Sequence, residues 1–353
     1  MSITDAFLAH ATHRASVRRS SRSAWFGSGL MGVAVLVLAV LPFAVMTSVT
    51  DSLVNLFVLI ALASMWNLLA GFGGLVSVGQ QAYFGLGAYA VLMLAEHGVQ
   101  AYLAIPLAAA VAAVIAIPTS WLAFRLRGDY FAIGTWVIAE VFRLVTTRID
   151  ALGGASGKSL STLSGIDPVT RGAITYWVAL GLAVAAAVGC YLLLRSRLGL
   201  SLMAVRDEET AANAVGINVP RAKRWVYLIS AAGCGAAGGV LLVASLSVNP
   251  DAVYNVQWSA YMIFIVVIGG IGYIEGPIIG AIIFFALQQS LSDYGSWYLI
   301  ILGVCGTLMA IWAPRGLWGL ITARARISFF PVGYHLDRRP GAGAPQEAGG
   351  RRD

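Results

Sequence analysis

Apolar and polar positions alternate along this chain in long blocks rather than at a short period. Apolar segments cover approximately 29–48, 53–70, 79–97, 101–124, 130–147, 173–194, 223–247, 258–272, 276–292 and 297–313. Polar or glycine-rich stretches separate them. Runs approaching or exceeding roughly 18 apolar residues are long enough to cross a bilayer as helices. The pattern therefore predicts an all-α polytopic membrane protein with about ten transmembrane helices.

Composition agrees. Charged residues make up 11% of the chain and hydrophobic residues 59%, where a soluble domain carries about 25% charged residues. No polar segment is long enough to be a soluble catalytic domain. The net charge of +7 suggests nucleic acid, but its placement argues against that reading. With the N-terminus inside and the spans alternating, 19 of the 23 Lys and Arg fall in inside segments, and only Arg143, Arg148, Lys158 and Arg171 lie elsewhere. This is the distribution that membrane insertion imposes, and it puts both termini in the cytoplasm. Trp25, Trp121, Trp177, Trp225, Trp258, Trp297 and Trp318 lie near expected span ends, as in an interfacial aromatic belt. The first apolar run is too long for a signal peptide core and has no clean cleavage site. The chain thus divides into a tail at 1–28, a membrane part at 29–320 and a second tail at 321–353, which is expected to be disordered.

Four features carry candidate chemistry. The first is the charged stretch 195–224 between two apolar blocks. Positions 200–215 read as one amphipathic helix with Leu202, Val205, Ala212 and Val215 on its apolar side and Gly216 as its stop. Such a helix either lies solvated on the surface or seats in a groove of a partner protein. The second is a pair of glycine breaks. One runs from Asn67 through Gly71, Gly73 and Gly74 to Gln80 and Gln81, and the other from Gly269 and Gly270 through Gly272 and Glu275 to Pro277. Interrupted apolar segments, one in each half, point to a pathway between them, although close helix packing through small residues explains single glycines as well. The third is the pair Glu140 and Arg143, three apart on one helix face. Each charge alone costs roughly 2.5–3.5 kcal/mol at mid-membrane, so a structural ion pair is the favoured reading. The fourth is Gly153-Gly154-Ala155-Ser156-Gly157-Lys158-Ser159, which imitates a phosphate-binding loop but lacks a glycine at 152 and a preceding strand. The chain is thus expected to carry no ATPase, cofactor or metal site. Cys190, Cys234 and Cys305 lie in apolar runs and read as small buried hydrophobes.

Six stretches, taken in order, resemble the permease subunits of branched-chain amino acid ABC importers. They are Asn67 to Gly74 with Gly85 to Tyr89, then 126–133 (Leu-Arg-Gly-Asp-Tyr-Phe-Ala-Ile), 153–157, 204–218 (Ala-Val-Arg-Asp-Glu-Glu-Thr-Ala-Ala-Asn-Ala-Val-Gly-Ile-Asn), 269–281 and 314–319 (Pro-Arg-Gly-Leu-Trp-Gly). The resemblance implies a non-catalytic subunit of a bacterial inner-membrane importer that works by alternating access. It implies a second homologous permease, two cytoplasmic ATP-binding subunits, a periplasmic substrate-binding protein and a small amino-acid substrate. It also implies ATPase contact by Glu209, Ala211, Ala212 and Gly216, and the charged loop adds Arg206, Asp207 and Glu208 as candidates beside them. The substrate pathway then runs past Asn67, Gly73, Gly74, Gln80, Gln81, Gly269, Gly270 and Glu275. The chain departs from the family's usual residues at Asn213, at Glu275 and around Gln80 and Gln81. Related permeases carry urea, short amides or other amino acids. A carrier driven by an ion gradient is the rival from another class, and it would need acidic groups such as Glu140 and Glu275 as ion sites.

Overall fold

The computed structural model describes residues 16–18, 22–163, 165–291, 297–313, 315–325 and 335–337. Helices dominate: α1 (Arg22–Val40), α2 (Thr47–Asn67), α3 (Gln81–Glu96), α4 (Ala101–Ala123), α5 (Asp129–Thr147), α6 (Pro168–Arg195), α7 (Arg197–Asp207), α8 (Glu209–Ala214), α9 (Val219–Ser245), α10 (Pro250–Val253), α11 (Gln257–Gly269), α12 (Gly276–Leu291), α13 (Trp297–Trp312) and α14 (Gly316–Ala325). Seven helical stretches among the described residues are at least 18 residues long and apolar enough to cross a membrane, and two shorter apolar helices cover Met31–Phe43 and Gly276–Leu291. The protein is an all-α polytopic membrane protein. Most of the tail expected at 321–353 lies outside the described residues. Of that stretch, 321–325 complete α14, and His335–Asp337 pair antiparallel with Ser16–Arg18.

Helix starts follow capping more than hydropathy. Helix α6 begins at Pro168 rather than 173, because the Asp167 carboxylate accepts hydrogen bonds from the N–H groups of Val169 and Thr170 at 3.1 and 3.2 Å. Helix α9 begins at Val219 rather than 223, with the Asn218 side chain accepting from the Arg221 N–H at 3.0 Å. Each cap satisfies orphan donors of the first turn, and the charged residues that follow extend the helix beyond the apolar run. Helix α1 stops earlier than expected, at Val40, where Pro42 imposes a short 3-10 turn over Leu41–Phe43.

Helix α2 is apolar on all sides, and a helix of that kind belongs in the interior. Its most apolar 18-residue window is 83% buried, against 22% for α5. Helices α6, α9, α11 and α12 pack around α2, and α9 also crosses α3 and α4. Small residues make those crossings close. Ala104, Ala108, Ala112 and Ala116 recur every four residues on the buried side of α4. A methyl at Gly238 of α9 would overlap the carbonyl of Phe84 in α3, and one at Gly87 would overlap the carbonyl of Gly235. Without a hydrophobic drive between helices in lipid, backbone approach of this kind supplies the packing.

Candidate functional site

The charged stretch 195–224 folds as two helices and not as the single helix expected over 200–215. Glu208 sits between α7 and α8 in an extended conformation (φ −158°, ψ 109°), and its carboxylate caps α8 by accepting from the Thr210 N–H at 3.4 Å. A capping side chain in the middle of the sequence pattern splits the helix there. Leu202, Val205 and Ala212 are buried as the pattern predicts, and Val205, Ala212 and Val219 form a small cluster of their own. Val215, expected on the same side, is 76% exposed because α8 has ended at Ala214. Gly216 stops the helix with φ +86°. Asp207, Glu208, Glu209, Thr210, Ala211, Asn213 and Gly216 form an exposed edge. Lys223 Nζ, at the start of α9, donates to Glu209 Oε2 at 2.6 Å and ties α8 to a long membrane helix.

Both glycine breaks meet directly behind this loop. Helix α2 ends in a π-helical turn, Leu68–Phe72, a widened turn that frees carbonyls from the regular ladder. Arg206 Nη1 of α7 donates to the Gly71 carbonyl of that turn at 2.7 Å. Asn67, just before the turn, bonds the second break with both ends of its amide: Nδ2 donates to the Tyr273 carbonyl at 2.8 Å, and Oδ1 accepts from the Gly272 N–H at 2.9 Å. Gly272 has φ +78°, and a methyl there would stand 3.2 Å from Arg206 Nη1. Gly74 lies against the aliphatic stem of Arg206, and Gly73 lies against Val226 of α9. On the other side, Gly269 packs on the backbone of Gly276, Gly270 faces the Arg315 carbonyl, and Glu275 is 6% exposed. Three segments far apart in sequence thus form one joint, at the end of the bundle that carries α7 and α8.

Gln80 and Gln81 lie deeper and serve helix packing. Gln80 Oε1 accepts from Ser230 Oγ at 3.4 Å and Cys234 Sγ at 3.6 Å, both on α9. Ser230 Oγ also donates to the Met65 carbonyl at 3.0 Å, two residues before Asn67. Gln81 Oε1 accepts from Ser259 Oγ of α11.

Glu140 and Arg143 sit toward the opposite end of the bundle. Arg143 Nη2 donates to Glu140 Oε1 at 2.5 Å, and Nη1 donates to Asp251 Oδ1 of α10 at 2.5 Å. The expected pair is a triad. Glu140 and Arg143 share one helix, so the link between elements comes from Asp251. The sequence signal for it was an acidic first turn after the Asn249 cap, on the same expected side as the chain's unplaced basic residues. The phosphate-loop imitation is occupied otherwise. Lys158 Nζ bonds Glu96 at 2.7 Å, and Lys158–Ser159 form a strand edge with Ser247–Val248 rather than opening a helix.

Comparison with known proteins follows the same outline. The model of a family described as "branched-chain amino acid transport system / permease component" matches residues 48–311. The high-affinity branched-chain amino acid transport system permease protein LivM of Escherichia coli (strain K12) is 31% identical, over 81% of this chain and 73% of LivM. The probable LivM of Methanocaldococcus jannaschii is 25% identical over 60% of each chain. The fructose import permease protein FruG of Bifidobacterium longum is 25% identical over 66% of this chain and 72% of its own. No solved structure matches. With both glycine breaks, the charged stretch 195–224 and helices α3 to α12 inside the matched span, the chain belongs to the family of permease components of branched-chain amino acid transport systems.

Proposed function

We propose that this chain is the membrane subunit of an ATP-driven importer and moves branched-chain amino acids by alternating access. In this reading α1, α3 and α12 join the seven longer spans, giving ten crossings with both termini in the cytoplasm. A second homologous permease completes the pathway, two cytoplasmic ATPases drive it, and a periplasmic binding protein delivers the solute. The chain itself carries no catalytic step.

The observation that carries the mechanism is the joint. The exposed edge of α7 and α8 is the contact offered to the ATPase. Arg206, one residue before that edge, holds the π-turn of α2, and Asn67 holds the second break. A displacement of α7 therefore reaches both halves of the bundle through three hydrogen bonds, without crossing flexible chain. Backbone that is not regular helix is tolerated at membrane depth where it is packed on protein or lines a cavity, and the two breaks supply that hinge. The exposed charges of Asp207, Glu208 and Glu209 suit a basic groove on the partner.

The fructose import permease FruG is also similar to this chain, so the solute is the part of the reading to test first. Uptake of labelled leucine is measured in cells with and without the gene, with the proton gradient collapsed and ATP kept high. Gene-dependent uptake that survives the collapse supports the reading. Uptake lost with the gradient moves the protein to the ion-driven class. Absence of leucine uptake in both strains keeps the importer and redirects the search to sugars, urea and short amides.

A further inference from the structure

Three helix ends converge on a cavity of about 440 Å³ at the end of the bundle opposite α7 and α8. Helix α2 contributes Asp51, Val54 and Asn55, helix α6 contributes Arg171, and the end of α9 contributes Leu241 and Val243. The volume lies within the range of small-molecule sites, roughly 300–1,000 Å³. Asp51, exposed, and Arg171, half-buried, line the same space, and among the described residues they make no ion pair with each other or with any other residue, nor does the Asn55 amide make a hydrogen bond. On the same end of the molecule Lys158 pairs with Glu96 and Arg143 with Asp251. Two opposite charges held apart across a cavity are satisfied together by a ligand that carries both. Val54 and Val243 are buried and give the floor an apolar surface beside that polar pair.

We infer that this cavity is a receiving site for a small zwitterion with an apolar side chain, a free α-amino acid. The ammonium group meets Asp51, the carboxylate meets Arg171, whose planar fork matches a carboxylate, and the side chain rests on Val54, Leu241 and Val243. The inference rests on the reading above in one respect, that this end of the bundle faces the periplasm. A zwitterionic lipid headgroup presents similar charges, so the test separates the two sources.

The test uses the full chain in lipid nanodiscs and direct binding of labelled leucine, with no ATPase or binding protein present. Asp51→Asn is isosteric at an exposed position, Arg171→Gln removes the charge with a shorter polar side chain at a half-buried one, and monodispersity by size exclusion confirms the fold of each. Each change should weaken leucine binding about tenfold or more, the loss expected for a charge-assisted hydrogen bond. The analogues give the sharper readout. Leucine amide keeps only the ammonium, so its binding should fall with D51N and not with R171Q. The matching fatty acid, 4-methylpentanoate, keeps only the carboxylate and should show the reverse. Leucine binding that is absent in the wild-type protein, or unchanged in both variants, overturns the site. So does binding that vanishes when phosphatidylethanolamine replaces phosphatidylglycerol, because the headgroup is then the occupant. None of these results depends on ATP-driven uptake, so the site can fail while the importer reading stands, and the importer reading can fail while the site stands.

Discussion

Arg206 Nη1 and the Gly71 carbonyl, 135 positions apart in the chain, are joined by a hydrogen bond of 2.7 Å. The bond runs from a loop helix to the widened last turn of the most buried membrane helix. A charged donor on a backbone acceptor is among the stronger kinds of hydrogen bond, about 1.5–3 kcal/mol. Arg206→Ala should therefore uncouple the machine. Uptake is expected to fall at least tenfold, while the assembled complex retains most of its basal ATP hydrolysis. Arg206→Lys should recover only part of the loss, since a single ammonium reproduces one donor and not the fork. Measuring uptake and hydrolysis on the same preparation checks this, and equal losses in both would point to failed assembly instead.

Asn67 has two backbone partners on the second break, one accepting and one donating. Asn67→Leu removes the partner of the Gly272 N–H and of the Tyr273 carbonyl, both half-buried, at a cost of up to about 1–3 kcal/mol each. Asn67→Asp keeps only the acceptor and should be the milder change. The expected order of thermal stability in detergent is wild type, then N67D, then N67L. Equal melting temperatures in all three would remove the clamp from the account.

Glu209 bonds Lys223 within the chain and is also offered on the exposed edge. A charge swap separates these roles. Glu209→Lys alone should abolish transport and loosen the ATPase while leaving membrane insertion intact. Adding Lys223→Glu restores the intramolecular pair. If co-purification of the ATPase stays weak in the double variant, Glu209 contacts the partner directly. Full recovery would confine it to holding α8 on α9.

The crossing of α3 and α9 leaves no room for side chains at Gly238. Gly238→Ala should destabilise by about 1–3 kcal/mol, the usual cost of overpacking a close interface, and Gly238→Leu should abolish recovery of folded protein. By contrast, Gly181 and Gly189 of α6 have nothing within 4 Å of an added methyl, and alanine there should be neutral or slightly stabilising.

The triad at the other end predicts a sign as well as a size. Arg143→Gln leaves Glu140 and Asp251 as neighbouring acids without their shared cation, which should be more damaging than Asp251→Asn, where one ion pair survives. Glu140 lies about 16 Å along α5 from Asp129. Restoring stability to R143Q by adding Glu140→Gln would identify repulsion as the cause.

The architecture was legible in the sequence because the bilayer imposes it. Backbone groups must be satisfied within each crossing, so every span is long, apolar and helical, and its limits can be read within a few residues. At Asp167 and Asn218 a single capping side chain moves a helix start that hydropathy cannot see, and larger boundary differences arose at α1 and at the start of α2. The loop at 195–224 was legible too, since charge between two spans has few uses, although its break at Glu208 was not. What only the tertiary structure decided is the joint. Asn67 and Arg206 bind the backbone of Gly272, Tyr273 and Gly71. Every residue carries the same amide and carbonyl, so such partners leave no mark on residue type. Asp251 and the facing charges of Asp51 and Arg171 were hidden for a related reason. Their meaning depends on which helix ends are neighbours, and that is set by the small-residue crossings of α2, α3, α4 and α9, where many alternative pairings of apolar helices share nearly the same composition.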